Sequence, residues 1–251
     1  MASYQNFANV YDIFMEDIPY QNWFNYVESI FDKYDIKPQS VCELGCGTGK
    51  MTTLFANKGY EVIGLDLSAE MLMMAQDVAY EKKLEILYTL QDMADFEIQA
   101  PVDIICSFCD SMNYLTEDEE LLSCFKKVKQ YLKFDGLFVF DMNTPYKYEK
   151  VLGNNIFADQ TEDAAYVWTN YYDNEEKINE YEVSFFIQKE DGSYDRSIEN
   201  HYQRAYSLQK VKTLLDKAGL EIIEVTDNYT SNLFKDNSER MTIISKHKAN
   251  I

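Results

Sequence analysis

A short segment near the start of the chain places an acidic residue ahead of three glycines at alternate positions: Glu43-Leu44-Gly45-Cys46-Gly47-Thr48-Gly49. Glycines so closely spaced let the backbone turn tightly and let a ligand approach without a Cβ in between. Apolar residues precede the segment and residues 50–56 have a helical pattern, so the first N–H groups of that helix would point at whatever the loop holds. The order of strand, glycine loop and helix predicts the start of a nucleotide-binding βαβ unit.

The spacing of the glycines indicates which nucleotide is bound. A dinucleotide fingerprint has glycines at its first, third and sixth positions, but the sixth position here is Lys50 and the third glycine comes one place early. The pattern Glu-x-Gly-x-Gly-x-Gly resembles motif I of the class I S-adenosylmethionine (SAM) methyltransferases. The resemblance implies SAM as cofactor, with Glu43 facing the methionine ammonium directly or through loop amides. A purely structural glycine turn and a nicotinamide-dependent oxidoreductase are the alternatives, and the spacing disfavours the second.

Asp66 ends an apolar strand over residues 61–66 and lies 21 residues after Gly45. An acidic residue at about this offset accepts hydrogen bonds from a ribose in such folds. Ser68 then caps a predicted helix over residues 69–81. A ribose ligand is therefore the preferred interpretation of Asp66, and an ordinary turn at the end of a strand is the alternative.

The resemblance implies further cofactor contacts. Asp92 followed by Met93 is similar to the adenine clamp of these enzymes, with Asp95 as the competing acid, and Tyr11 is similar to an aromatic of their N-terminal lid, with Trp23 a second candidate. The full predicted cofactor-binding set is Tyr11, Trp23, Glu43, Gly45, Cys46, Gly47, Asp66, Leu67, Met71, Gln91, Asp92, Met93 and Phe108.

Candidate acceptor-site residues fall in two places. Asp110, Asn113 and Tyr114 follow a predicted strand over residues 102–108, and ligands bind at the carboxyl ends of such strands; the resemblance implies that this segment faces the acceptor. The alternative is a helix-start cluster. His201 and Arg204 lie in a His-x-x-Arg run similar to one in the resembled enzymes. We predict His201, Asn113 and Tyr114 as catalytic and Asp110 and Arg204 as substrate-binding, with a histidine able to take the acceptor's proton. A strand histidine bonded to its neighbour is the alternative.

Regular βα repeats continue to residue 142, with a predicted helix over 116–133, a turn at 134–136 and a fifth strand over 137–142. Residues 146–206 then alternate in polarity and predict a three-stranded antiparallel insertion that covers the site. A helix ending at Gly219 and a hairpin complete the chain. The expected fold is α/β and Rossmann-like, of the class I methyltransferase type. It has a seven-stranded, mostly parallel sheet with helices on both faces and a small antiparallel insertion. The predicted domains are 1–145 with 207–251, and the insertion 146–206.

The formal charge of −20 argues against nucleic acid as a partner, because phosphates are contacted by lysine and arginine. The N-terminus lacks a signal-peptide pattern, and no apolar run is long enough to predict a membrane span. Five cysteines suit a reducing cytoplasm, and the positions of Cys42 and Cys46 in a strand and a loop disfavour a zinc site. We therefore expect a cytoplasmic methyltransferase acting on nitrogen or oxygen of a small-molecule acceptor. A non-catalytic SAM-binding protein is the alternative.

Overall fold

A seven-stranded sheet forms the centre of the protein, which is represented by a computed structural model describing residues 18–189 and 191–249. Its spatial order is β10-β11-β5-β4-β1-β2-β3, and only β11 runs antiparallel to its neighbours. The strands of this sheet are β1 Ser40–Leu44, β2 Glu61–Asp66, β3 Ile86–Leu90, β4 Val102–Ser107, β5 Leu132–Asn143, β10 Leu220–Asp227 and β11 Arg240–His247. The predicted seven-stranded, mostly parallel sheet is confirmed.

Five α-helices accompany this sheet among the described residues: α1 Tyr20–Lys33, α2 Lys50–Asn57, α3 Ala69–Glu81, α4 Asp118–Tyr131 and α5 Leu208–Ala218. Local sequence sets their ends. The Ser68 hydroxyl accepts from Met71 N–H at the start of α3, Glu117 and Glu120 form a capping box at α4, and Gly219 ends α5 with a φ of +85°.

Alternation along β1 divides the core between the two faces of the sheet. Val41 packs with α1 and α2 through Phe24 and Phe55, whereas Cys42 belongs to the core on the other face. That second core contains Phe125 of α4 and Leu214 of α5. Successive side chains of a strand point to opposite faces, so one short strand anchors helices on both sides and fixes the rim where it ends.

A second sheet, here called the roof sheet, consists of β6 Ile156–Gln160, β7 Ala164–Asp173, β8 Ile178–Gln188 and β9 Tyr194–Arg204, paired antiparallel in that order. The prediction of three strands without helix was wrong in two respects. A π-helical turn, Lys147–Leu152, precedes the sheet, and β6 is an additional strand. Almost every residue of β6 is at the surface, so it has none of the apolar alternation from which a strand is predicted.

The start of β5 also differs from the prediction. The strand begins at Leu132 and includes residues 134–136, which were predicted as a turn. Its pairing with β4 passes from Val102↔Leu132 to Ile104↔Leu137, so the intervening residues bulge out of register. A Cβ on Gly136 would lie 2.4 Å from the Asp103 carbonyl oxygen, which explains the glycine in this bulge.

Candidate functional site

A cavity of about 800 Å³ lies between the carboxyl ends of the central strands and the roof sheet. The glycine loop, the end of β2 and the segment after β4 form one part of its wall, and β7, β8 and β9 form the opposite part. Of the predicted site residues, the structure brings the following to this wall: Glu43, Gly45, Cys46, Gly47, Asp66, Leu67, Met71, Gln91, Met93, Phe108, Asp110, Tyr114 and His201.

The glycine loop needs residues without a side chain for two different reasons. Gly45 has a φ of +68°, and a Cβ there would lie 2.8 Å from Ser111 Cβ, closer than the packing allows. Gly47 has a φ of +52° but no protein atom within 4 Å of where its Cβ would be. Gly45 therefore lets the loop pack against the segment after β4, while Gly47 faces open space in the cavity wall.

Asp66 holds the loop in place. Its Oδ2 accepts a hydrogen bond of 2.8 Å from Gly47 N–H, and its Oδ1 accepts one of 2.9 Å from Ser68 N–H. A carboxylate has about four acceptor positions, so two remain after these bonds. The geometry leaves Asp66 able to accept from a pair of hydroxyls presented in the cavity, as the predicted ribose contact requires.

Glu43 is the last but one residue of β1 and lies inside the protein, 3% exposed. Its Oε2 has no hydrogen-bond partner among the described residues. Burial raises the pKa of this carboxyl well above its usual range, a bond from Thr52 N–H opposes that effect, and the charge of Asp66 raises the pKa further. A buried carboxylate oxygen without a partner is costly. An ammonium group bound in the cavity would satisfy it, so the residues present fit the methionine end of SAM.

The acceptor side of the wall is centred on Asp110. Its Oδ1 accepts from Arg240 Nη2 at 2.7 Å, and its Oδ2 accepts from Gln203 Nε2 at 2.7 Å. Cys109 and Asp110 both have φ above +50°, an uncommon backbone for residues other than glycine. The N–H of Asp110 donates to Asp141 at 2.7 Å, so the strained segment is held by bonds to β5, β9 and β11.

A second set of polar groups in the wall comes from three elements, the 3₁₀ turn after β4 and the roof strands β8 and β9. The hydroxyl of Tyr114, from the 3₁₀ turn Ser111–Tyr114, lies 2.8 Å from the Tyr181 hydroxyl and 3.0 Å from His201 Nδ1. The other ring nitrogen of His201 lies 3.1 Å from Glu199 Oε2. Side chains alternate along β9, so His201 and Gln203 line the cavity whereas Tyr202 does not.

Trp23 is placed differently from its prediction. Its ring stacks on the Tyr229 ring with 4.6 Å between the centroids, and the Arg240 guanidinium carbon lies over it, 5.4 Å from the ring centroid. It is 4% exposed and lies outside the cavity wall. Tyr229 in turn donates a hydrogen bond to Asp141. Trp23 thus packs against a buried ionic group instead of a ligand, because helical periodicity alone does not tell a core aromatic from one facing a ligand. Tyr11, the other predicted aromatic, falls outside the described residues.

Asn113 and Arg204, predicted as catalytic and substrate-binding, both lie outside the cavity wall. Asn113 is fully buried; its amide donates to Arg204 O at 2.8 Å and its Oδ1 accepts from Asn143 N–H at 2.9 Å. The Arg204 guanidinium donates to Thr116 O at 2.7 Å. Both side chains join backbone segments, and the strand parity that brings His201 inward turns Arg204 away.

Asp92 is also absent from the cavity wall. Its Oδ1 accepts from Ala94 N–H at 2.8 Å, a local turn that turns the carboxylate toward its own backbone. Its neighbours in sequence do reach the cavity: Met93, and Gln91, whose amide also bonds Glu97. The adenine-clamp assignment is therefore not supported for the Asp92 side chain.

Sequence reasoning missed several wall residues. Lys147 reaches the wall from the π-helical turn, where its Nζ donates to Asn143 Oδ1 at 3.0 Å and burial lowers its pKa. Arg240 is the first residue of the last strand. Its place just before an apolar run predicts the strand but does not mark Arg240 as a cavity residue. Trp168 and Phe185 come from the alternating roof strands, whose inward face could have been assigned by parity.

Two findings concern the described part of the chain as a whole. Within residues 18–189 and 191–249, no group of three or more histidine, cysteine, aspartate or glutamate side chains is placed to hold a metal ion. The helices of these same residues are all too short or too polar to cross a membrane.

Comparison with known proteins gives consistent results. A family model described as a methyltransferase domain matches residues 41–136. A relative from Geobacillus sp. (strain WCH70), named as a methyltransferase, is 33% identical over 245 residues, 97% of this chain and 99% of its own. A SAM-dependent methyltransferase from Clostridium acetobutylicum ATCC 824 has a TM-score of 0.90 at 30% identity, covering 98% of this chain and 99% of that one. A sugar N-methyltransferase from Streptoalloteichus sp ATCC 53650 has a TM-score of 0.77 at 18% identity, covering 95% and 93%, and therefore shows the shared fold alone.

Proposed function

This chain belongs to the class I SAM-dependent methyltransferases, and from that premise we propose that it methylates a nitrogen or oxygen of a small polar molecule. The observation that carries the proposal is that one continuous cavity of about 800 Å³ joins the glycine loop to the polar wall of Asp110, Tyr114 and His201. Cofactor and acceptor would share this space, which favours an acceptor of small size.

The cofactor half of the cavity is formed by Glu43, the glycine loop, Asp66 and Met93. Glu43 would accept from the ammonium group and Asp66 from the ribose hydroxyls, in agreement with their unused acceptor capacity. SAM bound there supplies an activated methyl group on a sulfonium sulfur. The protein then contributes mainly by holding the reacting atoms in place, which alone is worth several kcal/mol.

The acceptor half combines hydrogen-bonding groups with aromatic walls. Asp110 and Tyr114 offer oxygen acceptors, while Trp168 and Phe185 of the roof sheet offer flat apolar surface. A small molecule with an amine or hydroxyl on an apolar ring or chain fits this lining. A structural neighbour at 18% identity is named as a sugar N-methyltransferase, so the same fold can accommodate a small acceptor that is methylated on nitrogen. With a net charge of −20, we expect no nucleic-acid substrate. The cytoplasmic location stays a prediction.

Calorimetric titration with SAM, S-adenosylhomocysteine and NADH in parallel tests the cofactor half. We expect roughly micromolar binding of the first two and none of NADH. Transfer of labelled methyl from SAM to panels of small amines, alcohols and carboxylic acids, with tRNA and a mixed protein sample alongside, then tests the acceptor. Transfer to a small amine, alcohol or carboxylic acid supports the proposal; transfer to tRNA or protein alone, or to nothing in the panels, contradicts it.

A further inference from the structure

Four side chains of the cavity wall form one hydrogen-bonded row: Glu199, His201, Tyr114 and Tyr181. Successive polar atoms along it are 3.1, 3.0 and 2.8 Å apart. The roof sheet fixes the geometry. Glu199 and His201 are two residues apart on β9 and share a face, while Tyr181 on β8 is the direct cross-strand partner of His201, with the two rings stacked at 4.7 Å.

The chemistry of the end group sets the direction of the row. A carboxylate only accepts hydrogen bonds, so Nε2 of His201 must carry the hydrogen that it shares with Glu199. In the neutral ring Nδ1 is then an acceptor, and the Tyr114 hydroxyl donates to it. The remaining lone pairs of the Tyr114 oxygen accept from Tyr181. Every bond in the row points toward Glu199.

Tyr114 is the one member of the row that does not belong to the roof sheet; it comes from the 3₁₀ turn after β4 of the central sheet. It is 41% exposed and is held by its neighbour Asn113, whose amide bonds the backbones of β5 and β9. Removal of the hydroxyl from water raises the pKa of Tyr114 well above its usual range, and the nearby Tyr181, Asp110 and Glu199 raise it further. Tyr114 therefore keeps a proton and passes one along, instead of holding a negative charge.

We propose that this row is a proton relay that deprotonates the acceptor, an inference that rests on the proposed methyl transfer. The acceptor's N–H or O–H donates to the Tyr114 oxygen, displacing Tyr181. As the new bond from carbon to nitrogen or oxygen forms and the methyl–sulfur bond breaks with its electron pair left on sulfur, the acceptor's proton passes to Tyr114. The original Tyr114 proton moves to Nδ1 of His201, and Glu199 stabilises the imidazolium so formed.

The relay defines the acceptor more narrowly than cavity size does. The reacting atom must arrive with a proton to lose, as in a hydroxyl or an amine with at least one N–H. Tertiary amines and thioethers, which have none, are excluded as acceptors. Glu199 acts through His201 and is a positioning residue, whereas Tyr114 touches the acceptor.

The first test needs neither cofactor nor acceptor. The chain contains two histidines, so ¹⁵N-histidine labelling gives a simple spectrum, and His247→Gln assigns His201 by elimination. We expect the neutral His201 ring to carry hydrogen on Nε2 and none on Nδ1, with the Nε2–H proton protected from solvent. Hydrogen on Nδ1 would overturn the proposal, because that nitrogen could not then take the Tyr114 proton.

Glu199→Ala should expose the Nε2–H proton to rapid solvent exchange and remove its signal. Glu180→Ala is the matched control, because Glu180 lies on the neighbouring strand and bonds Tyr202 outside the cavity wall. Persistence of the signal in Glu199→Ala would refute the positioning role of Glu199.

With an acceptor in hand, Tyr114→Phe and His201→Ala should each lower the single-turnover rate by roughly 10²–10⁴-fold. The double variant should be no slower than either single variant, since members of a relay act as a unit. Multiplicative losses would mean separate roles and would overturn the relay. The affinity for SAM, measured in the same variants, should be unchanged. If the wild-type protein did not bind SAM at all, the proposed function would be refuted, but the result on the His201 ring proton would still hold.

Discussion

Glu43 and Asp66 are carboxylates on neighbouring strands, and their surroundings prepare them for different partners. Asp66 already accepts two backbone N–H groups, whereas Glu43 is buried with one oxygen unpartnered among the described residues. Burial raises the pKa of Glu43 and so disfavours its charged form. A cation bound beside it would favour the carboxylate again. The two carboxylates differ in position: Asp66 is the last residue of β2, within reach of loop N–H groups, whereas Glu43 lies one residue before the end of β1.

Replacing Asp66 with alanine should weaken SAM binding at least about tenfold, or roughly 1.4 kcal/mol. The change removes the acceptors for the ribose and also the bond that holds Gly47 N–H. Calorimetric titration measures the affinity, and the melting temperature shows whether the variant is folded.

Asp95→Ala is the control for that change. Asp95 is the competing acid of the same rim, but its side chain is 80% exposed and pairs with Lys127 at 2.7 Å away from the cavity wall. We expect its SAM affinity to stay within twofold of wild type. Equal affinity in both variants would remove Asp66 from the cofactor site.

At the scale of elements, β11 carries the group that fastens the acceptor side of the cavity. Its first residue, Arg240, pairs with Asp110 after β4 and with Asp141 in β5, and its guanidinium lies over Trp23 of α1. Asp141 also receives the Tyr229 hydroxyl. One buried arginine therefore ties together four segments, and the strained backbone at Asp110 depends on it.

Arg240→Met should destabilise the protein by about 3–5 kcal/mol, because it leaves Asp141 and Asp110 without their cation in a buried setting. Urea unfolding at pH 7 measures the loss. Lys246→Met on the same strand is the control. Lys246 pairs with Glu221 at 3.7 Å on the surface, so we expect a change of about 1 kcal/mol or less. A loss of similar size in both variants would show that the buried group is not the source of stability.

The whole molecule divides its stability unevenly between the two sheets. The central sheet is buried by helices on both faces, with clusters of large apolar side chains on each. The roof sheet takes part in two small clusters of buried apolar residues: Ala164, Val183 and Phe185 form one, and Tyr172 joins Tyr148, Leu152 and Ala205 in the other. Its outer face leaves Val167, Tyr171, Ile198 and Tyr202 exposed. The roof therefore has much less buried apolar surface to resist local opening.

Hydrogen exchange should reflect this division. Amides of β6, the exposed edge strand of the roof, should exchange at least about 100-fold faster than those of β5, which lies between two paired strands of the central sheet. Mass spectrometry of exchanged peptides measures both. Strand β8, interior to the roof, separates an edge effect from a property of the roof as a whole. Equal protection of β5 and β6 would contradict the uneven distribution.

The predicted domain boundaries at 146 and 206 stay predictions.

The sequence alone determined those features that depend on short-range chemistry. Three glycines within five residues, an acid 21 residues later, caps such as Ser68 and the αL glycine at 219 each specify a local backbone, and their order along the chain specifies the parallel sheet. These features predicted the parallel βα sheet and the part of the wall around Gly45 and Asp66, while the resemblance of the glycine pattern to motif I predicted SAM and the class I methyltransferase fold.

Which polar and aromatic side chains meet depends on contacts between distant parts of the chain. Trp23, Asn113 and Arg204 have the right residue types for a site, yet packing turns them into the core or against backbone carbonyls. Lys147, Glu199 and Arg240 reach the cavity from segments far apart in sequence. A residue's role depends on strand register and on the partners that distant segments bring, and one residue's shift in register reverses the face it occupies. That long-range pairing is what the local pattern of a single sequence does not contain.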